Sequence, residues 1–310
     1  MNDKIKGYIY GIVASATYGM IPLFTLPLYS AGMDIYSVLF IRYTLAIGIL
    51  ALMIKARGRS FHISGANLKS ILIFGSVFAV SSISLFTSYK YMDAGIASTL
   101  LFVYPIIVAL IMRIFFRERL SLYTTLCMAG ALGGIVLLYK GDGAGPLSVL
   151  GTVMAILSAL SYAIYIVGIN RSTLKEVPTV TLTFYMLTAG WIVFGICVLI
   201  RGELNTPDVG EWLEWGCMFA LALLPTAISL ICTTKAVQYI GSTPTAILGA
   251  MEPVTAIIFG LTVFGETISG REWAGIALII VAVSIVVAGG NFSAILIRIK
   301  KLFPKLHKKR

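Results

Sequence analysis

The chain has 310 residues, 58% hydrophobic and only 12% charged, with a mean hydropathy of +0.95; a soluble domain carries about 25% charge. The net charge of +11 would suit a nucleic-acid binder. Its Lys and Arg, however, fall in short breaks between long apolar runs, as expected of a membrane protein, and nucleic acid is excluded as a partner. Alternating strand patterns are absent, which excludes a β-barrel. The four cysteines, Cys127, Cys197, Cys217 and Cys232, lie in or beside apolar runs without a CxxC pair and read as small buried hydrophobes.

The apolar runs predict an all-α polytopic membrane protein with ten transmembrane helices. Span 1, residues 6–27, has a charged start that resembles a signal peptide, but the repeat described below makes it a permanent helix; Tyr18 sits in its middle. Span 2, 35–54, contains "FIRYTLAIGIL" with Arg42 and Tyr43, and span 3, 70–89, carries Ser81, Ser82 and Ser84. Span 4, 94–115, contains Tyr104 and Pro105, and Glu118 and Ser121 follow it. Span 5, 121–139, has a stripe of small residues at Gly130, Gly133 and Gly134. Span 6, 148–168, carries Tyr162 and Tyr165, and span 7, 179–200, carries Tyr185 and Trp191. Span 8, 213–234, is interrupted by Pro225 and includes Thr226 and Ser229. Span 9, 241–264, holds Glu252 and Pro253 in the apolar stretch "TAILGAMEPVTAIIFGL", and Glu266 and Ser269 follow it. Span 10, 271–290, is again rich in small residues, among them Gly275 and Ala282. The remainder, 291–310, is a basic tail with interleaved apolar residues, suited to lie on an anionic inner leaflet.

An even number of spans puts both termini on one side. With that side cytoplasmic, only Lys90, Lys140, Arg201 and Arg271 of the 24 Lys and Arg fall outside, 19 fall inside, and the one remaining, Arg42, lies deep within a span. The positive-inside rule therefore makes both termini cytoplasmic.

The chain is also written twice. A shift of 148 superposes residues 88–138 on 236–286 without a gap: Tyr91 falls on Tyr239, Leu100 on Leu248, Pro105 on Pro253, Phe116 on Phe264, Glu118 on Glu266 and Ser121 on Ser269. A shift of 144 places Gly7, Ile12 and Tyr18 on Gly151, Ile156 and Tyr162, and one of 142 places Tyr43, Leu45 and Gly48 on Tyr185, Leu187 and Gly190. Residues 6–140 and 148–290 thus form two five-span repeats. Five is odd, so the second repeat enters the membrane from the opposite face. Inverted repeats of this kind build transporters whose substrate site lies near the midplane between the halves; receptors and intramembrane enzymes have less use for them.

Several stretches resemble the paired EamA domains of the drug/metabolite transporter superfamily. They are the proline-centred "FVYPIIVAL" and "AMEPVTAII", the Glu just past each of those spans ("FFRERLS", "VFGETIS"), the closing spans "GALGGIVLL" and "GIALIIVAV", and the Arg-containing motif of span 2. The resemblance covers about residues 7–288. The chain departs from internal symmetry where Tyr104 stands opposite Glu252 and Cys127 opposite Gly275. The resemblance implies a monomeric, ten-helix secondary transporter of the bacterial inner membrane. Such proteins move small metabolites, often outward, including amino acids and nucleosides. The site would be bordered by spans 1, 3, 4, 6, 8 and 9. A weak homodimer through the small-residue stripes is the other oligomeric expectation.

Two ionisable side chains lie inside spans, Arg42 and Glu252. Each costs about 2.5–3.5 kcal/mol at a helix centre on insertion scales, so each must face protein or water. Their depths are similar, which predicts a direct or water-linked pair at the central cavity. Glu252 reads either as a proton-coupling carboxylate or as a fastening for a helix whose backbone Pro253 interrupts at Gly249. Pro105, Pro225 and Pro253 are expected kinks or hinges. Tyr18, Tyr104, Tyr162 and Trp191 lie too deep for an interfacial belt and are expected, with Ser82, to line the cavity. The span hydroxyls alternatively serve as interhelical hydrogen bonds worth about 0.6 kcal/mol each. Glu118 and Glu266 read as caps or loop fastenings. His62 and His307 form no pair on a helix face, and no HExxH, GxSxG or Walker motif occurs. No cofactor or metal is therefore expected, and transport must run on gradients, with protons the expected coupling ion. The functional expectation is alternating-access transport of a small polar metabolite, with export of amino acids or related compounds foremost. An intramembrane enzyme or lipid-handling protein is the alternative, and a channel a third.

Overall fold

The computed structural model describes residues 3–92, 94–118, 122–138, 148–263, 270–271, 273–282 and 285. Glu266, Ser121, Ser269 and the basic tail lie outside them. The described residues form an all-helical bundle. Segments 3–30, 35–56, 67–91, 149–171, 179–201 and 212–240 are long and apolar enough to cross a membrane. Shorter apolar helices run over Tyr104–Phe116, Thr125–Gly134 and Trp273–Ala282.

The elements follow the expected spans, but several spans are broken. Span 1 consists of α1 (Asp3–Tyr18) and α2 (Ile21–Ser30), separated by a turn at Gly19 and Met20. Spans 2 and 3 are the continuous helices α3 (Ile35–Ala56) and α4 (Gly65–Tyr91). Span 4 is divided into α5 (Ala94–Leu101) and α6 (Tyr104–Phe116), and α7 (Leu122–Leu138) follows. In the second half α8 (Val149–Arg171) and α9 (Thr179–Arg201) are continuous. Span 8 comprises α10 (Trp212–Ala222), a π turn (Leu223–Ile228) and α11 (Ser229–Ile240). Span 9 is α12 (Ser242–Leu248) and α13 (Met251–Val263), and α14 is Trp273–Ala282. Local chemistry sets several of these ends. Asp34 caps α3, its carboxylate accepting from Tyr36 N at 2.9 Å and Ser37 N at 3.3 Å. Gly241, at φ +86°, makes the sharp turn between α11 and α12.

Packing follows the repeat. The three principal seams are α4 on α8, α1 on α11 and α3 on α9. The first two correspond under the sequence shifts, and their details agree. Ser81 Oγ donates to Ser158 O at 3.0 Å, and Ser229 Oγ donates to Ala14 O at 2.9 Å. Shifts of 148 and 144 convert one of these bonds into the other. The glycine contacts behave likewise. A Cβ added to Gly151 would lie 3.1 Å from Tyr91 Cβ, and one added to Gly7 would lie 2.8 Å from Tyr239 Cβ. Both seams close on a glycine because only a missing side chain lets the helices approach so far.

The stripe of span 5 packs on span 10 within the chain. A Cβ on Gly134 would lie 2.6 Å from Ile279 Cγ1 and 2.8 Å from Gly275 O. The small residues bring α7 and α14 together.

Candidate functional site

Three helix breaks meet at one place. Gly19 of the first break faces Glu252 of the last: an added Cβ would lie 3.1 Å from both the Cα and the carbonyl carbon of Glu252. Gly249, just before that last break, faces Tyr104 of the middle one, and an added Cβ would lie 2.7 Å from Tyr104 Cζ. No side chain fits at either glycine, so the first and last breaks meet backbone to backbone, and the Tyr104 ring seats directly on Gly249. The sequence marks Gly249 through Pro253 but does not single out Gly19; the signal there was a glycine three residues before a mid-span proline, Pro22.

The prolines act as their chemistry requires. Pro105 and Pro253 stand in the first turns of α6 and α13, where a missing N–H costs no helical bond. The carbonyl of Gly249, which Pro253 cannot reach with a hydrogen bond, instead accepts from Glu252 N at 2.9 Å. Pro225 lies in the π turn, and the hydroxyl of Thr226 donates to Leu221 O at 2.7 Å. Single π turns are frequent at functional sites.

At the junction of the breaks is a cavity with about 10 Å³ open to the centre of a water molecule, about the room one water needs. Tyr104, Tyr162 and Glu252 line it, with Ser15, Thr233 and Thr245 supplying hydroxyls. Glu252 is 9% exposed. Among the described residues no ion pair or hydrogen bond engages its carboxylate. Tyr18 does not line the cavity but stacks on Tyr162 at 5.8 Å with the rings 7° apart, so these symmetry mates meet face to face. Tyr104 meets the edge of Tyr162 at 4.9 Å.

Arg42 is placed differently from the expectation. It does not pair with Glu252. Its Nε donates to Thr226 Oγ1, and its Nη2 lies 3.5 Å from Pro225 O. The guanidinium sits 5.4 Å above the Phe86 ring. Helical depth, which the sequence gives, does not fix azimuth, and the azimuth of α3 turns Arg42 toward the π turn. Ser82 joins this second cluster, its hydroxyl 3.1 Å from that of Tyr43. Trp191 lies elsewhere, on the seam of α3 and α9, where Nε1 donates to Thr44 Oγ1 at 2.8 Å and the ring stacks on Phe40 at 5.3 Å. Glu118, read as a cap or a loop fastening, pairs with Arg171 at 2.8 Å, which ties the end of α6 to the end of α8.

A polytopic helical bundle whose broken helices converge on a buried carboxylate is the architecture of a membrane transporter. A model of the EamA-like transporter family matches residues 5–140 and again 149–288, and the chain belongs to that family. An uncharacterized transporter of Archaeoglobus fulgidus is 28% identical over 261 residues, 83% of this chain and 88% of that protein. The uncharacterized inner membrane transporter YedA of Escherichia coli K12 is 28% identical over 65% of this chain and 64% of its own length. The threonine/homoserine exporter RhtA of Salmonella typhimurium is 23% identical over 77% of each chain. A crystal structure of a protein with 20% identity superposes with a TM-score of 0.75 over 90% of this chain and 95% of that one, a likeness of fold.

Proposed function

We propose that this transporter is a secondary active one that moves a small polar metabolite by alternating access, with amino acids or related compounds as the exported class. Ten spans form two inverted repeats, residues 6–140 and 148–290, with both termini in the cytoplasm and the chain in an inner membrane. The 23% identity with a threonine/homoserine exporter supports the substrate class, and the name of the relative YedA supports the location.

The observation that carries this reading is the cavity where the breaks of spans 1, 4 and 9 meet around Glu252. Breaks free backbone groups and allow half-helices to move, and a carboxylate with no partner among the described residues is available to a proton or a cationic group. Glu252 is the coupling residue, exchanging a proton as the site changes sides. Tyr104 and Tyr162 form the wall against which substrate packs, and the breaks at Pro105 and Pro253 are the hinges. The chain works as a monomer in the bilayer.

The test is counterflow in proteoliposomes: purified protein, internal unlabelled compound and external labelled compound, across amino acids, nucleosides and organic cations. Transient accumulation of an amino acid is the expected result. Flux without counterflow would make the protein a channel, and accumulation of nucleosides or cations alone would overturn the substrate class.

A further inference from the structure

The cavity leaves one buried charge unused. Arg42 is 2% exposed, inside a membrane span, and meets no carboxylate among the described residues. A guanidinium carries five N–H donors. Thr226 Oγ1 and Pro225 O take two of them, and the Phe86 ring faces its plane. An uncompensated cation at this depth is costly to keep. Its position is nonetheless built. The π turn, which bulges span 8, is what aims the Pro225 carbonyl and the Thr226 hydroxyl at Arg42. Those neutral acceptors hold the guanidinium without neutralising it.

Arg42 also lies next to the central site. Thr226 is one turn from Ser229, which bonds Ala14 O on α1, and Ala14 lines the cavity one turn before Tyr18. Tyr18 is the last residue before the Gly19 break and stacks on Tyr162, which lines the cavity. Tyr18, on a segment whose helix ends there, thus touches the cavity wall at Tyr162 and lies within electrostatic reach of Arg42. Movement at that break would open the cavity toward Arg42.

We propose that Arg42 is the anion-binding group of the substrate site, and that it makes a free carboxylate a requirement for transport. This rests on the transport reading above and adds what the transported molecule must carry. The planar fork of a guanidinium matches a carboxylate bidentately. An amide or an ester of the same compound keeps its shape and loses the charge, and the corresponding amine loses the group entirely.

The experiment is competition in the counterflow assay with matched compounds: leucine and threonine, their amides, their decarboxylated amines, and the 2-hydroxy acids that keep the carboxylate and lose the ammonium. On wild type, amides and amines should compete about tenfold less well than the parent, or worse, the factor that about 1.4 kcal/mol carries. In Arg42→Gln this preference should vanish, and Arg42→Lys should retain part of it. Wild type needs no folding control, so the proposal is testable even if the variants do not assemble. Amides and amines that compete as well as the parents would overturn it, as would a folded Arg42→Gln that keeps the preference. Transport of hydroxy acids but not amino acids would sink the amino-acid reading and leave Arg42 as the carboxylate group. Transport of amines alone would overturn the Arg42 assignment.

Discussion

The seam of α1 with α11 and the seam of α4 with α8 are the same contact made twice. Each has a serine donating to a carbonyl, Ser229 to Ala14 and Ser81 to Ser158, and each has a glycine under a tyrosine, Gly7 with Tyr239 and Gly151 with Tyr91. Yet α4 and α8 run unbroken, whereas span 1 breaks at Gly19 and span 8 contains the π turn. The same packing therefore holds one regular pair and one irregular pair, and the irregular pair borders Glu252 and Arg42. Symmetric packing gives the molecule two similar halves, and the irregularity in one of them places the two buried charges, Glu252 and Arg42.

The largest effect is expected where a glycine of one half that is packed against a ring stands opposite a large side chain of the other. Under the shift of 148, Gly249 corresponds to Leu101, which is buried at 3% exposure. Gly249→Leu makes the second copy like the first, but its side chain would occupy the place of the Tyr104 hydroxyl. Overpacking of that kind costs about 1–3 kcal/mol, occasionally more, and thermal unfolding in detergent should show it. Gly48→Leu, where nothing lies within 4 Å of an added Cβ, should change stability much less. Next comes Thr226→Val, which strips Arg42 Nε of its acceptor at about 1–3 kcal/mol. Thr188→Val is the control, since its hydroxyl bonds only Phe184 O of its own helix; it should stay within about 0.5 kcal/mol of wild type. Smallest are Ser81→Ala and Ser229→Ala, each expected at about 0.6 kcal/mol. Equal stability losses with a change of counterflow rate only in Ser229→Ala would locate the moving seam. Equal rate changes in both would remove the functional distinction between the seams.

Much of this was legible in the sequence because prolines, charges and the internal repeat are local signals. Pro105 and Pro253 marked two of the breaks, and the shift of 144 brought Tyr18 and Tyr162 into register before the structure stacked them. Properties that depend on helix rotation were not legible. Arg42 and Glu252 have similar depths but face different neighbours, and Trp191 turns to Phe40 rather than to the cavity. The third break was hidden because Pro22 falls where α2 begins, in a position also compatible with a continuous helix end. Pro225 announced an interruption in span 8, but not that the π turn would present an oxygen pair to Arg42.

The most direct measurement compares wild type with Glu252→Gln in proteoliposomes, by counterflow at equal pH and by accumulation driven by an imposed pH gradient. With Glu252 as the coupling group, the variant keeps counterflow, because the substrate wall of Tyr104 and Tyr162 is intact, and no longer responds to the gradient. A folded variant that still accumulates substrate in proportion to the gradient would contradict the account, leaving the carboxylate at the meeting of the breaks as a structural fastening alone.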